Sequence, residues 1–192
     1  MYPTKIFISH VLEDKEYASK LRDILDSLGI ASKSCVDWKQ ADDVIAMLKT
    51  DLQECDLICV LVGPKTRASK FVDSEIDAFL KKQSDLPCGL LGIILPEHVD
   101  FKRPYYDPIE VPPRLHDRVE WEFGTIKHWT LDEASWKSWF DEVDRRRRTG
   151  SPSTSLSLLM SNRKFPWNAS ESVGKVTNDF ISRLELSDAP SD

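Results

Sequence analysis

Leu57-Ile-Cys-Val-Leu-Val62, closed by Gly63-Pro64, is the stretch that decides the fold. A run of apolar residues with no polar alternate describes a strand covered on both faces, as in the interior of a parallel sheet. Leu90-Leu-Gly-Ile-Ile-Leu95, stopped by Pro96, repeats the pattern. Upstream, Lys5-Ile-Phe-Ile-Ser9 and a weaker run from Ile30 to Val36 read as two further strands. Helical patterns lie between them. Tyr17, Leu21, Ile24, Leu25 and Leu28 form one apolar stripe, with Gly29 placed to end it. Asp42 and Asp43 open a second helix that buries Val44, Leu48 and Leu52, negative charge suiting its N-terminal dipole. A third starts near Ser69, buries Val72, Ile76, Phe79 and Leu80, and ends on Lys81 and Lys82. Strand and helix alternating from residue 5 to 95 imply right-handed crossovers and an α/β, doubly wound parallel sheet.

After Pro96 the character changes. Pro104, Pro108, Pro112 and Pro113 crowd a stretch holding Tyr105 and Tyr106, which reads as a long ordered loop. A helix is expected from Asp132 to about Arg147, with Trp136, Trp139, Phe140 and Val143 at helical spacing, covering a sheet edge. Thr149 to Ser161 is rich in Ser, Thr and Pro, and a last helical pattern carries Val173, Val176, Phe180 and Leu184. The expected organisation is an α/β domain over 1–130, an aromatic-rich helical C-terminal extension over 131–186 packed on it, and a disordered tail over 187–192.

Composition narrows the function classes. The chain has 192 residues, with 26 Lys and Arg against 32 Asp and Glu, a net charge of −6 that excludes a generally basic nucleic-acid coat. Arg145 to Arg148 read as a solvated, dipole-matched helix end rather than a phosphate-binding patch. No run approaches the ~20 apolar residues of a membrane-spanning helix, and Met1 to Ser9 lacks the pattern of a secretion signal, so a cytoplasmic protein without membrane attachment is expected. Cys35, Cys55, Cys59 and Cys88 form no CxxC pair, and the histidines show no metal-ligand spacing, so neither disulfides nor a metal site are expected.

In an open α/β sheet, ligands sit beyond the carboxyl ends of the strands, where strand order reverses. That rim comprises Ser9 and His10 after the first strand, Asp37 and Trp38 after the second, Gly63 to Thr66 after the third and Pro96 onward after the fourth. Glu75 falls one turn after Phe71 on the third helix, at the border of its buried stripe, where a carboxylate either faces a cleft or is simply solvated. Asp14 reads equally well as a helix cap, Trp38 as a residue packed under a loop, and His10 as a capping or core histidine. Gly63-Pro-Lys-Thr66 is not a phosphate-binding loop, because no GxxxxGK[ST] opens a helix. Ser9 lacks the G-x-S-x-G elbow of a hydrolase nucleophile.

Lys5-Ile-Phe-Ile-Ser-His10 followed by Glu13-Asp14 resembles the opening of a bacterial TIR (Toll/interleukin receptor) domain. Cys55 to Gly63, then Thr66 and Ser69-Lys-Phe-Val-Asp-Ser-Glu75, is similar to the TIR segment S-x-W-x-x-x-E, with Phe71 where many TIR domains have Trp. Leu91 to Pro96, the proline-rich loop and the aromatic tail further resemble the TIR-like proteins of Thoeris anti-phage defence. The resemblance implies a flavodoxin-like sheet, the TIR fold. It also implies an NAD glycohydrolase or ADP-ribosyl cyclase in which Glu75 is catalytic, and Ser9, His10, Asp37, Trp38 and Phe71 bind the substrate. NAD is then the substrate, and no cofactor is needed. Self-association through TIR surfaces, a cyclic ADP-ribose-type signal and a separate effector protein follow from the same resemblance, since a core reaching Pro96 plus the extension leaves no room for an effector domain. The chain alone is expected to be weakly active until it assembles or meets an infection-derived trigger. The rival readings are a non-catalytic TIR interaction module and a nucleoside deoxyribosyltransferase-like enzyme.

Overall fold

The computed structural model describes residues 5–34, 50–81, 89–120 and 124–149. Five parallel strands form a single sheet: β1 (Lys5–Ser9), β2 (Ala31–Ser34), β3 (Leu57–Val62), β4 (Gly89–Ile94) and β5 (Gly124–His128). Their order is β2-β1-β3-β4-β5. Among the described residues, four helices connect and flank them: α1 (Lys15–Ser27), α2 (Lys70–Leu80), α3 (Pro113–Glu120) and α4 (Glu133–Thr149). Residues 50–54 are also helical. The chain therefore adopts the α/β, doubly wound, flavodoxin-like fold expected for it.

β3 and β4 are buried at every position, because each has a strand on either side and a helix layer on either face. Odd and even positions feed two separate cores. One face joins Phe7, Ile58, Val60 and Val62 to Val72, Ile76 and Phe79 of α2 and Leu115 of α3. The opposite face joins Ile6, Ile8, Cys59, Leu61, Leu91 and Ile93 to Leu21, Ile24 and Leu25 of α1 and to Trp136, Phe140 and Val143 of α4. Gly29, at φ 69°, ends α1, and the Ile30 amide then reaches back to the Leu25 carbonyl at 2.9 Å.

Several expectations change. The stretch from Pro96 is irregular only as far as Pro112; from Pro113 it is helical, with a proline in the first helical position where its missing N–H costs nothing. A fifth strand, Gly-Thr-Ile-Lys-His, follows. The loop before α3 is braced from within. The fully buried Asp100 carboxylate accepts from Arg103 Nη1 at 2.7 Å and from the Asp107 amide at 2.8 Å. His98 accepts from the Asp100 amide at 3.1 Å and donates Nε2–H to the Glu110 carbonyl at 3.0 Å. α4 is one of the layers of the sheet rather than a cover for its edge, and the boundary drawn at 130/131 falls in the turn that leads into it. The arginine run at its end is not simply solvated. Arg147 is 7% exposed and bonds Asp144 Oδ1 at 2.6 Å, while Arg148 takes the other Asp144 oxygen at 2.8 Å. Among the described residues no helix is long and apolar enough to cross a membrane. The proposed final helix, the tail and the start of the second helix lie outside the described residues.

Candidate active site

Strand order reverses between β1 and β3, so the connections that leave their carboxyl ends turn to opposite faces of the sheet, where a ligand can enter between crossovers. Ser9 closes β1, in register with Val60. α2 begins just beyond the end of β3, and its first turn is held by Ser69, whose side chain accepts from the Val72 amide at 3.2 Å. That cap sets the start of α2. Val72, Ile76 and Phe79 face the sheet, and Glu75 is carried toward β1.

Ser9 Oγ donates to Glu75 Oε2 at 2.5 Å. The distance lies in the range of charge-assisted O–H···O⁻ bonds. Both residues are 0% exposed, so Glu75 is not the solvated helix residue that its spacing alone allowed. A buried carboxyl group costs several kcal/mol without partners, and the Ser9 hydroxyl offsets part of that cost. His10, 1% exposed, lies beside them with Nδ1 at 2.8 Å from the Val11 carbonyl. A carbonyl only accepts, so Nδ1 carries the proton, and in the neutral ring Nε2 is left as the acceptor. Phe71, one turn before Glu75, is 7% exposed and packs in the apolar cluster under α2. Ser9, His10, Phe71 and Glu75 are thus set along the ends of β1 and the start of α2. Asp37 and Trp38 lie outside the described residues.

The sequence placed Gly63 to Thr66 on this rim but did not show that Asp14 joins them. Asp14 precedes α1, yet its side chain makes no capping bond to that helix. It reaches instead to the exit of β3. Thr66 Oγ1 lies 3.2 Å from Asp14 Oδ2 and 3.1 Å from the Leu61 carbonyl, and it accepts from the Gly63 amide at 2.9 Å. A Cβ added to Gly63 would fall 2.4 Å from both Asp14 oxygens, so any larger residue here would have to displace the carboxyl group. Burial pushes the Asp14 carboxyl up to about 6, with Glu13 and Glu97 adding to it, while Thr66 and the Gly63 backbone pull the other way. On the surface above, Lys65 pairs with Glu13 at 2.7 Å. The signal in the sequence was Gly63 and Thr66, three residues apart, directly after a fully apolar strand. The Gly63 amide is engaged by Thr66, which is a further reason this turn is no phosphate cradle.

The remaining histidines are fixed within the domain. His116 Nδ1 lies 3.2 Å from the Tyr106 hydroxyl, and His128 Nε2 donates to the Asp100 carbonyl at 3.3 Å. Among the described residues no group of three or more His, Cys, Asp or Glu side chains is arranged to hold a metal ion.

The five-stranded parallel sheet brings Ser9 and Glu75 together at its switch point. Residues 7–99 match the family model described as the TIR-like domain of Thoeris protein ThsB, so the chain resembles a TIR protein over that segment. Among solved structures, the TIR domains of the activated Roq1 resistosome directly recognizing the pathogen effector XopQ align with it at a TM-score of 0.43 and 11% identity, covering 96% of this chain and 99% of that one. No curated protein matches the sequence.

Proposed function

We propose that the chain cleaves NAD at the bond between nicotinamide and ribose and releases a cyclic ADP-ribose-type signal to a separate effector in Thoeris-like anti-phage defence. The observation that carries this reading is the placement of Glu75: a buried glutamate, hydrogen-bonded by Ser9, at the switch point of a TIR-like sheet. Departure of nicotinamide leaves positive charge on the ribose carbon and ring oxygen, as in other glycosidic cleavages. A preorganised carboxylate in a water-poor site opposes that charge far better than one in water. Nicotinamide leaves as a neutral molecule from a cationic substrate, so no general acid is needed. Ser9 would orient the carboxylate, His10 would meet ribose or phosphate, and Phe71 and Trp38 would contact the rings. Attack by water gives ADP-ribose, whereas attack by a hydroxyl or ring nitrogen of the same molecule gives a cyclic isomer.

The burial of Glu75 bears on regulation. A glutamate that is 0% exposed would reach a dinucleotide only after its covering groups move, which on this reading makes the state a closed one. Assembly through TIR surfaces or an infection-derived trigger would supply the energy for opening, and a dilute, untriggered chain is expected to turn over little NAD. Mass spectrometry of NAD products from cells expressing wild type and Glu75→Gln tests the reading. Gln keeps the shape and loses the charge. The expected result is loss of products with an intact fold; identical product profiles for the two would refute it. The same burial favours a second reading, in which Glu75 and Ser9 form a structural bond within a non-catalytic TIR interaction module. No turnover by the wild type, assembled and triggered, would establish that reading.

A further inference from the structure

Two buried ties join the same two segments of the chain. Ser9 meets Glu75 at 2.5 Å, and five residues beyond Ser9, Asp14 meets Thr66, which leads into the Ser69 cap and α2. The first tie lies within the proposed reaction centre, and the second lies outside it. Asp14 makes no cap to its own helix, sits 6% exposed, and rests on Gly63 so closely that a Cβ there would fall 2.4 Å from both its oxygens. A carboxyl group placed at such cost, with glycine reserved beneath it, has a role beyond starting α1.

We propose that Asp14 is a positioning residue: by clamping the exit of β1 to Gly63 and Thr66 at the exit of β3, it fixes the start of α2 and hence the approach of Glu75 to Ser9. The catalytic consequence rests on the reading of Glu75 given above; the clamp itself does not. Thr66 has one hydroxyl hydrogen and three neighbours. It accepts from Gly63, and it donates either to the Leu61 carbonyl or to Asp14. With Asp14 protonated, the carboxyl O–H donates to Thr66 and Thr66 donates to Leu61, so every bond is made at once. With Asp14 ionised, Thr66 turns to it and the Leu61 carbonyl loses that donor. An amide at position 14 offers an N–H in place of the carboxyl O–H and preserves the full set. The exposed Glu13–Lys65 pair adds little, since surface ion pairs are worth about 0–1 kcal/mol.

The test uses the full chain with Asp14→Ala, Asp14→Asn and Thr66→Val, and two readouts. The first is the carboxyl 13C resonance of Glu75, which reports its bond to Ser9 whether or not any reaction occurs. The expectation is a displaced resonance in Asp14→Ala and Thr66→Val and an unmoved one in Asp14→Asn. The second is steady-state NAD cleavage, in which a misplaced group costs roughly 10–100-fold in kcat with KM changed by less than about twofold. The Asn variant should restore kcat to within about threefold of wild type. If Asp14→Ala does not fold, Thr66→Val, which keeps the shape of the side chain, carries the same expectations. A Glu75 resonance unmoved in a folded Asp14→Ala or Thr66→Val chain overturns the proposal. A displaced resonance, in a background where the wild type cleaves no NAD even when assembled and triggered, upholds the clamp and refutes the enzymatic reading instead.

Discussion

Ser9 and Glu75 lie 66 residues apart in the chain and 2.5 Å apart in space, one at the last position of β1 and the other in the second turn of α2. Their meeting depends on three things: β1 and β3 being neighbours, Ser69 setting the start of α2, and the buried stripe of α2 fixing its rotation. The bond is thus a sensitive gauge of whether the switch point is assembled.

Removing the Ser9 hydroxyl leaves a fully buried carboxyl group short of its donor. Ser9→Ala is expected to lower stability by about 1–3 kcal/mol, the cost of unsatisfying a buried polar group, as read from urea denaturation midpoints. Ser9→Thr, which keeps the hydroxyl, should recover much of the loss.

Asp14 gives stability a pH dependence of predictable sign. Its carboxyl rises from the ordinary 3.8 to about 6 in the folded chain, so the folded state holds this proton more tightly. The contribution is complete below pH 3.8 and is lost as pH rises through about 6, a difference of at most about 3 kcal/mol. The groups facing it are Glu13, Glu97, Thr66 and the Gly63 backbone. Asp14→Asn should remove this component, leaving a chain whose stability relative to wild type improves between pH 4 and pH 7 in parallel denaturation series.

Gly63→Ala would place a methyl group against both Asp14 oxygens. The overlap should destabilise the fold by about 1–3 kcal/mol. Because the clash is with one side chain, a double-mutant cycle with Asp14→Ala should show a coupling of about 0.5–3 kcal/mol that relieves part of the loss.

α4 is held by Trp136, which is 0% exposed, touches Trp129, Trp139 and Phe140, and donates Nε1–H to the Thr130 carbonyl at 2.9 Å. Trp136→Ala is expected to cost about 3–5 kcal/mol. A chain cut at residue 132 should fail to give a cooperative thermal transition, because one face of β4 would lose its cover.

The parts that were legible from sequence are those whose signal is local and strong. β1 and β3 were bounded to the residue, since Ile6-Phe-Ile and Leu57 to Val62 are continuous apolar runs ended by polar residues or Gly-Pro. α1, α2 and α4 announced themselves by apolar spacing, with starts near Ser69 and Asp132 for the last two. β5 did not. Among Gly124-Thr-Ile-Lys-His128 only Ile126 is a large apolar residue, because an edge strand with partly exposed positions needs no more. α3 was hidden by its prolines: Pro112-Pro113 reads as a loop until Pro113 is seen as a helix start, with Leu115 and Val119 as its inner face. The arginines of α4 misled for a related reason, since a run of like charge gives no hint that Asp144 and Asp56 wait beside Arg147.

Residue order by itself determined the elements, their alternation and so the layered α/β architecture, because burial on one face or two leaves a periodic record in a chain read one residue at a time. It also placed Ser9 at the end of the first strand and Glu75 on the helix that follows the third. Only the tertiary structure decided that the two share a hydrogen bond, that Glu75 is closed off from water, and that Asp14 serves the exit of β3 rather than its own helix. Hydrogen bonds between residues tens of positions apart depend on distances and directions set by packing, and packing leaves no periodic trace in the sequence.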